Sequence, residues 1–546
     1  MNDDGRTTGD LLLRGGLIVD GSGAAPATGD VLVRAGRIAG VGGRIDADGV
    51  RVIDADGLAV APGFIDMHAH SDLAVLADGA HLAKVTQGVT TEVVGQDGIS
   101  YAPVTDSTMA TVREQIAGWN GTPDGVDFAW RSVAEYLAEI DRRGSATNVA
   151  YLLPQGAIRM NVVGTGDERA SAADLAEMRA QVDQGMREGA FGLSSGLTYV
   201  PGMFASTDEL VALCEVVARH GGYYSPHQRS YGAGALAAYA EMVEVAERAR
   251  CALHLTHATM NFPENRGRAG ELLALVDRAI DAGVDVTLDT YPYLPGSTTL
   301  SALLPSRAAV GGPEATLARL RDADQRAWIA HEVEVIGSDG CHGVPVDWDT
   351  IEIAGVRDAA LGDRVGRTVA RIALDEARPP AEVFFDLLLA DRLGTSILQH
   401  VGDEGNVREI MRHRRHTGGS DGILIGAKPH PRGSGTFPRY LGRYVREEGV
   451  LSLADMIVHL AARPAARLGL HDRGRVAEGL VADLVVFDPA TVIDRATPDD
   501  PRRTADGIPW VLVGGTPVIE DGARTDVRPG RALRHGARAA VVPTTA

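Results

Sequence analysis

The sequence predicts an α/β protein. The expected fold is a (β/α)8 TIM-like barrel with a small β-sandwich domain built from both termini and an insertion late in the barrel. Three observations predict it. The chain has 546 residues, too many for one simple core, and a barrel of about 250 residues plus smaller modules fits that length. Strand-like and helix-like stretches alternate through the middle at the roughly 30-residue spacing of one β-α unit. Repeated units of this kind imply a parallel sheet, and a long array favours closure into a barrel. Glycine-broken β-like runs flank that middle on both sides.

The elements follow in order. Residues 1–61, with DLLLRGGLIVDG, GDVLVRAGRIAGVGG and GVRVIDADGLAV, read as short strands of the small β-domain. The barrel is expected over 62–470. Its first strand, 62–68, is followed by a helix over Ser71–Gln87. Further strands are expected at 90–95, 148–153, 190–194, 222–226, 252–256 and 284–291. Ser206 and Glu209 have capping-box spacing, so a helix is expected over Asp208–His220, stopped by Gly221 and Gly222. Another is expected over Glu271–Ala282. The period breaks after Ser297, and about 298–395 reads as an insertion of helix and loop without clear strands. The pattern resumes in TSILQHV, 395–401, and in HTGGSDG, 416–422. That makes nine candidate strands for eight places. Residues 471–531 read as the rest of the small β-domain, and 532–546 as a disordered tail.

Composition narrows the function. No apolar run approaches the 18 or so residues that span a bilayer, and the acidic start MNDDGRTTGD is unlike a signal peptide. Three cysteines, Cys214, Cys251 and Cys341, make no disulfide framework, so a reducing, cytoplasmic setting is expected. A net charge of −20 argues against nucleic acid and anionic membranes as partners. A homo-oligomer stays open. Lysine is nearly absent, with only Lys84 and Lys428.

The chemistry concentrates at strand ends. In APGFIDMHAH, residues 61–70, His68 and His70 are two apart and are expected on one strand face, with Asp66 beside them. H-x-H alone is weak, because two hydrogen-bonded histidines in a β-α loop look the same. The rest of the chain decides. Asp97 follows TTEVVGQ, His227 ends YYSPH, His257 ends LHLTH, and Asp421 lies in GGSDG. His68 and Asp97, like His227 and His257, are one β-α repeat apart. Each pair is therefore expected on adjacent strands at the same barrel end, where such barrels place active sites. Four imidazoles and two carboxylates suit one or two zinc-like divalent ions. His254 is expected to face away, and His400 and His416 to be structural or exposed.

With these residues in view, the chain resembles the amidohydrolase superfamily, and within it the N-acyl-D-amino-acid deacylases (D-aminoacylases). The resemblance runs over nearly the whole length. It is carried by GFIDMHAH, TTEVVGQDGIS, GAFGLSSGLTYVPG, GGYYSPHQRS, HLTHAT, DVTLDTYPYLPGST, GGSDG and KPHPRGSGTFPRYLG. It implies a metal-dependent hydrolase that splits a small-molecule amide into a carboxylic acid and a D-amino acid. Asp421 would then act as general base and acid. It also implies that Tyr291, Ser297 and Arg432 line the pocket or hold the substrate carboxylate. Three departures matter. The family's cysteine ligand is replaced by Asp97, which can bridge ions, with Zn2+ expected and Mn2+ or Co2+ also open to so hard a ligand, or can be a turn residue in QDG. No lysine near 190–196 can serve as the carboxylated bridge of other superfamily members. The family's carboxylate-holding lysine is replaced by Thr259. Two rivals follow: an amidohydrolase of another linear or cyclic amide, and a non-catalytic scaffold.

Overall fold

A computed structural model describes residues 10–536. Its centre is a parallel barrel of eight strands: β1 (Phe64–Asp66), β2 (Val89–Val94), β3 (Asn148–Pro154), β4 (Gly192–Gly196), β5 (Tyr223–His227), β6 (Ala252–Leu255), β7 (Val286–Thr290) and β8 (His416–Gly418). They pair in chain order. Closure between β8 and β1 uses the segments just past both strands. Met67 N donates to Gly418 O at 3.1 Å, and Asp421 N to His68 O at 2.8 Å. Ala69 bridges Gly422 in parallel. The seam of the barrel is therefore the stretch that carries H-x-H and Asp421.

Both faces of the strands are covered, which is why they read as near-continuous apolar runs. Leu193, Tyr224, Leu253 and Leu255 pack outward on helix residues such as Leu213, Val217, Met242 and Val245. Ile65, Met67, Val93, Ala150, Leu152 and Tyr223 form a separate inner cluster, joined by Leu468 and Leu533.

The ninth candidate strand is not part of the barrel. Ser396–Gln399 is the centre of a three-stranded antiparallel sheet, between Gly296–Thr299 and Ile351–Gly355. The insertion thus contains strands, contrary to expectation, around its own core of Leu300, Leu317, Ile353, Phe384 and Ile397. GSTT is too short and polar to announce itself, and its partner lies about a hundred residues on.

Five N-terminal strands and four C-terminal strands share one nine-stranded sheet. Its two halves join where Leu484–Phe487 pairs antiparallel with Ala59–Pro62. Leu484 and Val486 point into a cluster with Leu11, Leu13, Val31 and Val33. Val485 and Phe487, on the other face, pack with Phe64, Phe437 and Tyr440 of the barrel. This alternation seats the small domain on the barrel.

Three further expectations change. Ser71–Gln87 is two short helices, Ala74–Ala77 and Leu82–Val85, because Asp78 turns the chain by accepting from Ala80 N at 3.1 Å. The helix Thr207–Arg219 is capped by Ser206, which accepts from Glu209 N at 3.2 Å. The box does not close, because the Glu209 carboxylate pairs with buried Arg159 instead. Of the expected tail, residues 532–536 pack on the barrel: Leu533 is buried and its N–H donates to Val149 O at 2.7 Å. Residues 537–546 lie outside the described part. Among the described residues, no helix is long and apolar enough to cross a membrane.

Candidate metal centre

Six ligand-type side chains meet at the carboxyl ends of the strands. His68 and His70 follow β1, Asp97 follows β2, His227 ends β5, His257 follows β6 and Asp421 follows β8. Three of them hold left-handed backbone: Asp97 (φ 56°), His257 (φ 31°) and Asp421 (φ 48°). Such angles are uncommon outside glycine and cluster at functional sites. The Asp97 turn lies directly on β4. A Cβ at Gly196 would sit 2.0 Å from the Asp97 carbonyl oxygen, so the approach needs glycine there.

Asp97 stands at the middle. Its Oδ1 is 3.6 Å from His68 Nε2 and from His257 Nε2. Its Oδ2 is 3.5 Å from His70 Nε2 and 3.6 Å from His227 Nδ1. Asp421 Oδ1 is 3.1 Å from His70 Nε2 and 3.6 Å from His68 Nε2. Two overlapping groups result: His68, His70, Asp97 and Asp421, and Asp97, His227 and His257. The donors fit divalent ions. Both ring nitrogens of His68 and Oδ1 of Asp97 are buried without a hydrogen-bond partner, a costly arrangement unless something binds them. The set is nitrogen and carboxylate oxygen, as zinc and its neighbours prefer.

Outer partners aim the rings. Thr198 Oγ1 is 2.7 Å from His227 Nε2, and Tyr231 Oη is 2.9 Å from His257 Nδ1. The opposite nitrogens, 3.1 Å apart, face each other and Asp97. Asp289 lies beneath. It accepts from His254 Nε2 at 2.9 Å and from His257 N at 2.9 Å, with Oδ2 3.8 Å from His68 Nδ1. His254 therefore points inward, against expectation, and its role is to hold Asp289. The register explains it: Leu253 and Leu255 take the outer face.

The charges reinforce the grouping. Burial disfavours the His70 cation, but Asp421 and Asp97 outweigh it and lift the imidazole to about 10. Burial likewise opposes the Asp97 carboxylate, yet His227 and His68 hold it well below the usual range. Burial alone dominates at His227 and lowers its pKa. At Asp421 burial is overcome by Arg432 and His68, which hold the carboxyl well below its ordinary value.

Tyr291, Ser297 and Thr259 line the same cavity as Asp97 and Asp421. Arg432 stands behind it, fully buried. Its Nη2 is 2.8 Å from Asp421 Oδ2, and its guanidinium lies 4.3 Å from the Tyr291 ring centroid. Its Nε and Nη1 have no partner. Asp66 does not join the histidines. The strand ends at Asp66, and the carboxylate turns to Lys84 Nζ at 2.6 Å and to Ser420 N at 2.8 Å. His400 is exposed, against Glu352, and His416 is buried against His459. Sequence reasoning missed Asp289 and Lys84. An aspartate inside the apolar run VTLDT was the available signal; for Lys84 the signal was its near-uniqueness as a lysine.

Comparison with known proteins identifies the family. A model of the amidohydrolase family matches residues 51–519. An N-acyl-D-glutamate deacylase of Alcaligenes xylosoxydans xylosoxydans is 36% identical over 536 residues, 98% of each chain. A D-aminoacylase of the same organism is 33% identical over 96% of this chain and 97% of its own. The N-acyl-D-glutamate deacylase of Bordetella bronchiseptica, solved with zinc and a phosphonate mimic of the tetrahedral intermediate, superposes with a TM-score of 0.83. It is 33% identical, over 96% of this chain and 99% of that one. The chain belongs to the amidohydrolase family. Within that family its full-length kinship is with the D-aminoacylases.

Proposed function

We propose that the protein is a metal-dependent N-acyl-D-amino-acid deacylase and that the cluster around Asp97 is its catalytic centre. One observation carries the reading: a single buried carboxylate lies within 3.6 Å of four imidazoles at the barrel mouth, in a chain akin to D-aminoacylases throughout. His68, His70 and Asp421 would hold one ion, His227 and His257 another, with Asp97 between. We propose zinc as the ion, with Mn2+ or Co2+ as the alternative, since the donors suit it and the Bordetella bronchiseptica relative was solved with zinc. Such an ion, when bound, acidifies water and polarises a scissile carbonyl.

The remaining work falls to side chains. Asp421 is ionised at neutral pH, so its carboxylate can take a proton from the attacking water. It then returns that proton to the departing nitrogen. Arg432 keeps that carboxylate oriented. Tyr291 and Ser297 contact the carboxylate of the amino-acid half, and Thr259 offers it a hydroxyl where the family has a lysine. The substrate is a small-molecule amide, and three buried free cysteines accord with a cytoplasmic setting. The test is a panel of N-acyl-D and N-acyl-L amino acids with zinc-loaded protein. Hydrolysis of the D series is expected. Equal rates for both hands, or none for either, would remove the deacylase assignment.

A further inference from the structure

A second cavity adjoins the catalytic one. Trp119, Thr198, Tyr199 and Ala302 line both. Beyond that shared wall its sides are Ile99, Ile116, Val200, Met203, Leu304 and Leu393, with Thr316 and Ala309 on the insertion's side. Open space at its mouth included, about 710 Å³ lies among these residues, as much as among those lining the catalytic cavity. The lining is more apolar than polar, but Gln115, Thr165, Thr299, Ser301 and Ser306 add polar groups to it, and such a mixture suits a small-molecule site. The lining comes from loops after β2 and β4 on one side and from the insertion on the other.

The wall is placed to meet a substrate. The Trp119 ring lies 5.2 Å from His70, and Tyr199 lies 4.9 Å from His227. The two rings meet edge-on at 4.9 Å. Trp119 Nε1 is buried and has no hydrogen-bond partner, so an indole donor in this wall is left for an acceptor that enters. Tyr291 and Arg432, by contrast, gather at Asp421. An amide with its amino-acid carboxylate at Tyr291 would have its acyl chain directed away from that end, toward the wall of Trp119 and Tyr199.

We infer that this second cavity is an acyl-chain subsite, and that the substrates it admits are N-acyl amino acids whose apolar acyl chain is longer than acetyl. The inference rests on the deacylase reading above. The apolar walls take the methylene chain out of water, and the shared wall orders the carbons next to the amide.

The test uses the full-length zinc-loaded protein. N-acetyl, N-butanoyl, N-octanoyl and N-decanoyl derivatives of one D-amino acid are compared in kcat/KM, together with calorimetric binding of acetate and decanoate. Wild type should favour octanoyl over acetyl by tenfold or more and bind decanoate more tightly than acetate. Thr316→Phe or Ala309→Phe should each reduce the octanoyl-to-acetyl ratio at least tenfold and weaken decanoate binding, while acetyl turnover stays within about threefold. Acetyl turnover with no gain from chain length, and no change in the ratio in either variant, would overturn the subsite and leave the deacylase reading standing. If no N-acyl amino acid is cleaved, the deacylase reading fails. Decanoate binding then decides alone: loss of binding in both variants supports an apolar-chain site, and unchanged binding overturns it.

Discussion

Arg432 Nη2 lies 2.8 Å from Asp421 Oδ2, while the other Asp421 oxygen lies 3.1 Å from His70 Nε2. The two oxygens of one carboxylate are thus pinned by a guanidinium behind and an imidazole in front. A proton carrier needs that fixity more than it needs strength as a base, because catalytic geometry tolerates little displacement.

Arg432→Met should therefore harm catalysis itself. Charge-assisted hydrogen bonds contribute about 1.5–3 kcal/mol, so kcat/KM should fall roughly tenfold or more. Removing the cation raises the Asp421 pKa, and the acidic limb of the pH–rate profile should move to higher pH. The loss should persist with substrates whose carboxylate is amidated. Disappearance of the loss with those substrates would restrict Arg432 to carboxylate binding.

Asp421→Asn keeps the shape and removes the proton acceptor. Turnover should fall by about 10²–10⁴-fold. Metal content, measured by elemental analysis, should fall less than in His227→Ala. A variant within a few-fold of wild type would transfer the proton step to another group.

Asp97→Ala removes the one carboxylate common to both ligand groups. Bound metal should drop in both, to well below the His227→Ala level. Asp97→Cys should retain at least one zinc, because thiolate is a good ligand for it. Full metal content in Asp97→Ala would reduce this residue to a turn.

Lys84, Asp66 and Ser420 form a buried clamp across the barrel seam. Lys84 Nζ is 2.6 Å from Asp66 Oδ2 and 2.9 Å from Ser420 Oγ. Lys84→Met takes the paired cation from buried Asp66, a change that typically costs about 3–5 kcal/mol, reduced here by the Ser420 and His68 donors that Asp66 keeps. The melting temperature should fall clearly, and the double variant Lys84→Met, Asp66→Leu should recover much of it. An unchanged melting temperature in the single variant would refute the clamp.

Glu92 supplies a pH dependence away from the centre. Burial opposes its ionisation, but His81 and Lys84 prevail and bring it down to about 2. Because the folded pKa is depressed, the stabilisation is complete above about pH 4.5 and is lost as pH falls toward 2. This one group should give a slope of up to about 1.4 kcal/mol per pH unit in that window. Unfolding followed between pH 5 and 3 should be shallower in Glu92→Gln than in wild type, and equal slopes would discount the group.

The strand-end positions of His68, Asp97, His227, His257 and Asp421 were legible because a β-α repeat fixes which residues reach one end. Periodicity could not rank the inner residues of β6 and β7. His254 and Asp289 look like any polar residues in an apolar run until their strands are side by side. Asp66 was misplaced because alternation holds only within a strand, and β1 stops there. The insertion's sheet was invisible for a related reason: its strands gain meaning only from partners far along the chain.

The joining of Ala59–Pro62 to Leu484–Phe487 governs how the molecule can be made. A ribosome delivers the first of these strands long before the second exists. Until residue 487 emerges, the Ala59–Pro62 edge has unsatisfied backbone groups and can template pairing with another chain. The barrel wall next to it waits as well, since Val485 and Phe487 are needed to cover Phe64. The fold thus closes only after residue 487 has emerged, and the exposure to misassembly spans the more than four hundred residues made between the two strands.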